Sequence, residues 1–198
     1  MTQVGQRNTL DSGKWMLEPL LLGPGEFHFD CGKDDLNDFF ISDCLKHENL
    51  LLAKTYVLTL KGFSIEDTRY PFALISFCND AIRKEKVQDI VKKIPEQKRY
   101  KDLPAVKIAR LGVQKEHQGT GIGATLINMV KEFFLRDNRT GCRILTVDAY
   151  NTPDVLAFYQ RMQFDFLSDK DKRKETRSMF YDLMDTALEH ANLAVPQL

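Results

Sequence analysis

The sequence lacks an excess of either charge. Its 198 residues include 28 Lys and Arg and 28 Asp and Glu, which gives a formal net charge of zero. Wholesale binding to nucleic acid or to an anionic membrane is therefore not indicated. The charge is uneven, since residues 26–49 carry seven acids and two bases whereas residues 83–101 carry eight bases and three acids. Such runs usually form solvated helix faces.

Paired cysteines and long apolar runs are also missing. The four cysteines are scattered, with no Cys-x-x-Cys and no His at metal-ligand spacing, which favours reduced thiols in a core and no metal site. No apolar run approaches the ~20 residues of a membrane-spanning helix, and residues 1–14 lack the apolar segment of a signal peptide. We therefore expect a cytoplasmic protein with a flexible lead-in at residues 1–14 and a single domain at residues 15–198.

Hydrophobic periodicity predicts alternating strands and helices. Strands are expected at residues 15–22, 54–60, 71–77, 105–113, 143–149, 164–167 and 178–184. Helices are expected from a cap at Asp34 or Asp35 to about residue 49, at residues 81–93, after residue 121, and from Thr152-Pro153 to about residue 162. This order predicts an α/β fold with a mixed central sheet and helices on both of its faces.

The junction at residues 108–123 is the most informative stretch. An apolar strand ends at Val113, a polar turn reads Gln118-x-x-Gly121-x-Gly123, and an amphipathic helix follows. Unpaired N–H groups and the positive end of the helix dipole meet at such a junction, which suits a pyrophosphate. The absence of Gly-Lys-Ser/Thr argues against a triphosphatase loop, and the strict alternation of glycines from Gly119 argues against a dinucleotide-binding fingerprint.

This pattern resembles the acyl-CoA loop of the GNAT N-acetyltransferases, which reads Gln/Arg-x-x-Gly-x-Gly/Ala between a strand and a helix, and the element order resembles the GNAT fold. The resemblance implies an acetyl-CoA-dependent N-acetyltransferase in which a primary amine attacks the thioester directly. Gln118 would hydrogen-bond the cofactor, or would only stabilise its own turn. The backbone N–H groups that would bind the pyrophosphate belong to Gly119, Thr120, Gly121, Ile122, Gly123 and Ala124.

The strand before the loop would bind the pantetheine arm. The resemblance implies that Leu111 and Val113 offer main-chain groups to it, and that the Leu111 N–H faces the thioester oxygen. Gly112 lies inside this strand, where a glycine indicates either a bulge or a close approach of another group.

A second motif spans residues 148–164 and resembles the Asn-containing turn and helix of the same family. Tyr159 would protonate the leaving thiolate, and Asn151 would bond the pantetheine amides. Gln163 replaces a usual glycine, so the turn is expected to be reshaped or to hold Gln in a strained conformation. The general base stays open, because the three nearby candidates would equally serve as capping or solvated residues: Glu116, His117 and Asp148.

The stretch from Phe29 to Phe40 resembles the Phe-Asp-Cys-Gly…Leu-Asn-x-Phe opening of the toxin-like GNAT branch, whose members acetylate aminoacyl-tRNA. The basic segments at residues 83–101 and 170–177 would then contact RNA phosphates. Because the net charge is zero, a small-molecule or peptide amine is the preferred acceptor at this point and aminoacyl-tRNA is the alternative. A homodimer is left open. A non-catalytic acyl-CoA-binding module is a further alternative, against which Tyr159 argues, since a sensor needs no proton donor.

Overall fold

The protein is described by a computed structural model that covers residues 9–23, 25–62, 69–92, 101–136 and 140–193. An eight-stranded sheet has the order β1-β2-β3-β4-β5-β6-β8-β7. The strands are β1 (Leu10–Asp11), β2 (Trp15–Pro19), β3 (Lys54–Leu60), β4 (Ala73–Arg83), β5 (Asp102–Val113), β6 (Ile144–Tyr150), β7 (Asp165–Phe166) and β8 (Thr176–Asp182).

Six α-helical segments connect or follow these strands in the described part of the chain. They are α1 (Asp34–Asp38), α2 (Cys44–Asn49), α3 (Gln88–Val91), α4 (Ile122–Leu135), α5 (Pro153–Arg161) and α6 (Leu183–Leu193), and a π-helical turn (Phe39–Asp43) joins the first two. None of the helices within the described ranges has the length and apolarity that crossing a membrane requires. The α/β class with a mixed sheet, predicted from periodicity, is confirmed.

Two compact units divide the chain. The first comprises the described residues up to Cys78 together with Ile108–Phe133, and the second comprises Asn79–Lys107 and the described residues from Phe134 onward. Strands β4 and β5 each contribute residues to both units. The prediction of a single domain stays a prediction. The predicted flexible lead-in covers residues 1–14, of which residues 1–8 lie outside the described residues. Strand β1 lies within this segment and pairs with β2 in an antiparallel hairpin.

The first unit is built on the antiparallel β2–β3–β4 ladder and on α4. Strand β2 pairs antiparallel with β3, with Trp15 opposite Leu60, and β3 pairs antiparallel with β4, with Lys54 opposite Phe77. The apolar positions that predicted α4 are all buried: Ile122, Leu126, Met129, Val130, Phe133 and Phe134. A helix period of 3.6 residues places such positions on one face, so the prediction of this helix is confirmed.

The second unit is organised by the antiparallel pair β6–β8, in register from Ile144↔Asp182 to Tyr150↔Thr176. Arg143 donates to both carboxylate oxygens of Asp182, with Nε–Oδ1 and Nη2–Oδ2 distances of 2.9 and 2.8 Å. The start of this pair is therefore fixed by a bidentate ion pair, a geometry that guanidinium and carboxylate groups favour.

The helix predicted at residues 81–93 is wrong over its first half. Strand β4 continues to Arg83, a 3-10 turn follows at Lys84–Lys86, and only α3 is helical; residue 93 lies outside the described residues. The apolar residues of this stretch, Ile82, Val87 and Ile90, join a core cluster with Leu103 and Ile144. A periodicity argument sees that these residues are buried but not that their partners come from other strands.

Two helix ends also differ from the prediction. The N-cap of α1 is Lys33, with no side-chain cap bond, and not one of the two aspartates that follow it. Helix α6 was not predicted, since a strand was expected through residue 184. The strand ends at Asp182, whose Oδ1 accepts a hydrogen bond from the Met184 N–H at 3.1 Å. This is the bond of an N-cap, so Asp182 starts the helix while it also binds Arg143.

Candidate active site

The predicted pyrophosphate loop has the backbone of an anion site. Gly119 and Gly121 have φ values of +76° and +88°, and no atom lies within 4 Å of where either Cβ would stand. Glycine is thus required by conformation and not by space. The Thr125 N–H donates to the Gly121 carbonyl at 3.0 Å, so α4 begins there. The first N–H groups of a helix have no carbonyl one turn back, and they are therefore directed at any bound anion.

Side chains of the loop hold its shape. The Gln118 Nε2 donates to the carbonyl of Cys31 at 2.8 Å and to that of Val113 at 3.0 Å. The Thr120 hydroxyl donates to the His117 carbonyl at 2.7 Å. Gln118 therefore acts as a turn-stabilising amide, one of the two roles that the sequence left open. The prediction that Gln118 also contacts the cofactor stays a prediction.

The Phe-Asp-Cys-Gly segment forms a hydrogen-bonded unit with Asn37. Asp30 Oδ1 accepts from the Gly32 N–H at 2.7 Å and from Asn37 Nδ2 at 2.8 Å, while the Cys31 N–H donates to Asn37 Oδ1 at 2.9 Å. The hydrogen bond from Gly32, followed by that from Asn37, holds the pKa of Asp30 below its usual value. Asp30 and Asn37 are therefore joined by a direct hydrogen bond, and each side chain also accepts a hydrogen bond from a backbone N–H of the segment.

This unit is tied to the end of β5. The Asp30 N–H donates to Gln114 Oε1 at 3.0 Å, and the Lys115 N–H donates to the Asp30 carbonyl at 2.8 Å. Together with the bond from Gln118 to Cys31, these contacts anchor both ends of the turn that precedes the loop. Sequence reasoning missed this supporting role. The available signal was that an Asp and an Asn, Asp30 and Asn37, lie seven residues apart in the same short segment.

Gly112 lies inside β5 because an aromatic ring occupies the space beside it. A Cβ built there would stand 2.9 Å from Phe29 Cζ and 3.3 Å from Cys31 Cβ. Of the two explanations for a glycine within this strand, the close approach is confirmed. Leu111 and Val113 flank this contact in the same strand and are half-buried.

The general-base candidates are occupied or exposed. Asp148 pairs with Lys107 and accepts from the Ser178 hydroxyl at 2.7 Å. Burial by itself would raise the pKa of Asp148, but the hydrogen bonds from Lys107 and Ser178 outweigh it and lower that pKa. A carboxylate with a lowered pKa accepts a proton poorly. His117 stacks on Phe72 at 4.6 Å between ring centroids, and Glu116 is exposed.

Tyr159 lies on α5 in the second unit and is 5% exposed. Its ring packs edge-to-face against Phe164, with centroids 5.4 Å apart. Burial raises the pKa of Tyr159 far above its ordinary value, so the phenol keeps its proton throughout the neutral range. Helix α5 starts as predicted, with an extended N-cap at Thr152 and Pro153 at the first position, although the Thr152 side chain makes no cap bond.

The C-terminus of α5 positions the Tyr159 ring. Gln163 has a φ of +64°, its N–H donates to the Gln160 carbonyl at 2.9 Å, and the Phe164 N–H donates to the Tyr159 carbonyl at 2.9 Å. This pair of bonds is a Schellman motif, in which the residue after the helix takes the left-handed conformation. Of the two alternatives that the sequence left open at Gln163, the structure shows Gln in the strained left-handed conformation.

Asn151 faces the turn between β7 and β8. Its Nδ2 donates to the carbonyls of Lys172 at 3.0 Å and Lys174 at 2.8 Å, and its N–H donates to the Glu175 carbonyl at 2.8 Å. The prediction that Asn151 binds the pantetheine amides stays a prediction. Among the residues that the structure describes, no cluster of three or more His, Cys, Asp or Glu side chains is placed to hold a metal.

Comparisons with known proteins identify a family domain in part of the chain and the fold of the whole. Residues 81–165 match the family described as the acetyltransferase (GNAT) domain, whereas no curated protein matches the sequence significantly. A crystal structure of a KacT point mutant has a TM-score of 0.70 at 23% identity, with 89% of this chain and 99% of that chain covered.

Two further solved structures share the fold. AtaT complexed with acetyl-methionyl-tRNAfMet has a TM-score of 0.68 at 23% identity, with coverage of 89% of this chain and 99% of that chain. AtaTR bound with AcCoA has a TM-score of 0.64 at 20% identity, with coverage of 89% and 98%. At such identities the likeness is one of fold. Residues 81–165 therefore match the acetyltransferase (GNAT) domain, and the chain shares the fold of these acetyltransferase structures.

Proposed function

We propose that this chain transfers the acetyl group of acetyl-CoA to the amino group of an aminoacyl-tRNA. The observation that carries the transferase chemistry is the junction of β5 and α4, where a rigid glycine turn presents unpaired N–H groups to an anion. We assign the pyrophosphate to the backbone from Gly119 to Ala124. The pantetheine arm is assigned to the main chain of Leu111, Gly112 and Val113.

The reaction needs no covalent enzyme intermediate. The amine nitrogen attacks the thioester carbon, the carbon–sulfur bond breaks, and an amide forms while the amine proton leaves to solvent. The Leu111 N–H stabilises the oxyanion, a contact whose loss in other enzymes costs on the order of 10²–10³ in rate. Tyr159 gives its proton to the departing thiolate and takes one back from solvent. The phenol can donate because it is protonated at neutral pH, as burial keeps its pKa above the ordinary value.

An RNA acceptor is supported by two features. The Asp30–Asn37 unit belongs to the segment that resembles the toxin-like branch, and AtaT, a protein of the same fold, is known complexed with acetyl-methionyl-tRNAfMet. We place the enzyme in the cytoplasm, where aminoacyl-tRNA is made.

We also propose a homodimer, for which the three exposed leucines at residues 50–52 offer an apolar surface. Sedimentation of the purified chain tests this, and a monomer at micromolar concentration would refute it.

The test combines calorimetry with product analysis. Calorimetric titration with acetyl-CoA measures binding, and a thiol-release assay measures turnover. Mass spectrometry then compares intact aminoacyl-tRNA, deacylated tRNA and a panel of small amines after incubation with labelled acetyl-CoA. We expect label only on the intact aminoacyl-tRNA. Label on a small amine or peptide alone would replace the acceptor, and binding without turnover would indicate a sensor module.

Tyr159→Phe is the matched variant for the chemistry. Because general acids contribute about 10²–10⁴-fold, we expect kcat to fall at least about 100-fold with little change in acetyl-CoA affinity. The ring and its contact with Phe164 are kept, so the melting temperature should hold. Toxicity of the expressed parent that Tyr159→Phe relieves would agree with an RNA acceptor. An equally toxic variant, or one with the parent's kcat, would contradict the role of the phenol.

A further inference from the structure

The turn between β7 and β8, residues 169–175, presents several cations to solvent and is termed here the cationic turn. Lys170, Lys172, Arg173 and Lys174 are exposed. Lys172 pairs with Asp169 at 3.0 Å. The other three have no carboxylate within ion-pair distance among the residues that the structure describes. Asp169 is paired with Lys172 and Asp171 with Arg177. The other three cations are therefore opposed by one exposed carboxylate, that of Glu175, and the turn is locally positive on a chain whose net charge is zero.

A buried ion pair holds this turn from inside. Asp171 is buried beneath the exposed cations; its Oδ1 accepts from Arg177 Nε at 2.7 Å and its Oδ2 from the Ser178 N–H at 2.8 Å. The Arg177 Nη2 donates to the Ser168 carbonyl at 3.1 Å, and its guanidinium lies 4.1 Å from the centre of the Phe166 ring. Both ends of the turn are therefore tied to one satisfied, desolvated pair.

Asn151 closes the turn from the end of β6. Its side-chain nitrogen binds the carbonyls of Lys172 and Lys174, and its backbone N–H binds that of Glu175. Both amide hydrogens of Asn151 are thus engaged by the backbone that carries the cations. Three carbonyls held from one residue fix the direction in which the neighbouring side chains leave the turn.

Such rigidity matters for an anionic partner. Cations on an ordered backbone lose less conformational entropy on binding than cations on a mobile loop. Phosphates of a nucleic-acid backbone are recognised in this way, by Lys and Arg in fixed positions that carry no base specificity. We propose that the cationic turn binds the phosphate backbone of the acceptor RNA, with Asp171, Arg177 and Asn151 as positioning residues. This proposal rests on the RNA acceptor of the proposed function.

Direct binding of deacylated tRNA tests the turn without the chemistry. We compare Arg173→Ala/Lys174→Ala with the control Lys46→Ala/Lys61→Ala. The control also removes two positive charges, from exposed lysines that are distant in sequence from the turn. By fluorescence anisotropy, the turn variant should raise the Kd at least tenfold, while the control changes it less than twofold. Because each phosphate contact contributes about 0.7–0.9 to the salt slope, the slope of log Kd against log salt should fall by about 1.5.

The positioning role of Asp171 can be separated from its charge, because the two predict opposite changes in RNA affinity. Asp171→Asn removes a negative charge, so charge alone predicts tighter RNA binding, whereas loss of the clamp predicts weaker binding. Asn151→Ala changes no charge and serves if Asp171→Asn does not fold. We expect both to raise the Kd for RNA about fivefold. Tighter binding by Asp171→Asn, or an Asn151→Ala variant that weakens acetyl-CoA binding and not RNA binding, would overturn the role we assign.

The outcomes separate this proposal from the proposed function. If the parent protein binds tRNA through the turn but does not acetylate aminoacyl-tRNA, the turn proposal stands and the proposed acceptor is wrong. If the parent acetylates aminoacyl-tRNA while the turn variant binds tRNA as tightly as the control does, the proposed acceptor stands and the turn proposal is wrong. Polyglutamate that displaces tRNA at an equal concentration of charge would make the partner an acidic protein segment, which contradicts an RNA contact. A parent that binds no tRNA refutes the turn proposal outright.

Discussion

Replacing Gly112 with Ala tests whether Phe29 holds the strand that carries the predicted thioester contacts. The added Cβ would lie 2.9 and 3.0 Å from two ring carbons of Phe29 and 3.3 Å from Cys31 Cβ. Carbon atoms pack best at about 3.5–4.0 Å. The ring has little freedom to retreat, because it is buried and packs edge-to-face against Phe40, which is fully buried, with centroids 5.4 Å apart.

Two opposing effects set the magnitude. Overpacking a buried site costs typically about 1–3 kcal/mol, whereas the lower entropy of Ala in the unfolded chain returns about 0.4–1 kcal/mol. We therefore expect Gly112→Ala to lower the free energy of unfolding by about 1–2 kcal/mol. Because Leu111 and Val113 must shift with the strand, acetyl-CoA affinity should weaken severalfold as well.

Urea unfolding and calorimetric titration with acetyl-CoA measure both effects. The sharper assay is a double-mutant cycle with Phe29→Leu, which removes the outer ring atoms. If the clash is with the ring, the double variant should be more stable than the sum of the two single changes by about 1 kcal/mol. Additive changes, or a Gly112→Ala variant as stable and as tight-binding as the parent, would refute the contact.

Three further predictions concern single side chains. Gln163→Gly should raise the free energy of unfolding in urea by up to about 1 kcal/mol. A side chain at φ +64° costs about 1–2 kcal/mol, and glycine's greater entropy in the unfolded chain offsets part of that gain. Gln163→Ala should not raise the free energy of unfolding, and a rise equal to that of Gly would contradict the reasoning. Gln118→Glu should weaken acetyl-CoA binding at least tenfold by calorimetry, because a carboxylate would face the carbonyls of Cys31 and Val113; the exposed control Gln88→Glu should bind as the parent does. Burial raises the pKa of Asp171, but the bonds from Ser178 and Arg177 outweigh it and lower that pKa. Its contribution to stability is therefore complete above the ordinary value of about 3.9 and is lost as the pH falls through the lower folded pKa. Between pH 5 and pH 2 the parent should lose more stability than Asp171→Asn, and parallel losses would count against this pair.

Local patterns carried the prediction where the chain's own neighbours decide the structure. The 3.6-residue period from Ile122 to Phe134 identified α4, and Thr152-Pro153 marked the start of α5. The alternation of glycines located the loop, because a positive φ at Gly119 and Gly121 is a requirement of the local backbone. Signals of this kind need no knowledge of what lies across the fold.

Long-range contacts decided the rest. The continuation of β4 to Arg83 and the start of α6 at Asp182 depend on partners in other strands, namely the cluster around Ile82 and the ion pair with Arg143. No window along the chain contains both members of such a pair, so propensity alone favoured a helix in one place and a strand in the other.

The sequence by itself determined that a glycine turn lies between a strand and a helix, because glycine conformations and helix periodicity are local properties. Only the tertiary structure decided which contacts hold the turns in place. In the first unit Phe29 fills the space beside Gly112, and Asn37 donates to Asp30. In the second unit Asn151 is bonded to the cationic turn. These roles arise where segments distant in sequence are packed together, since hydrogen-bond partners and close contacts exist only once the chain has folded.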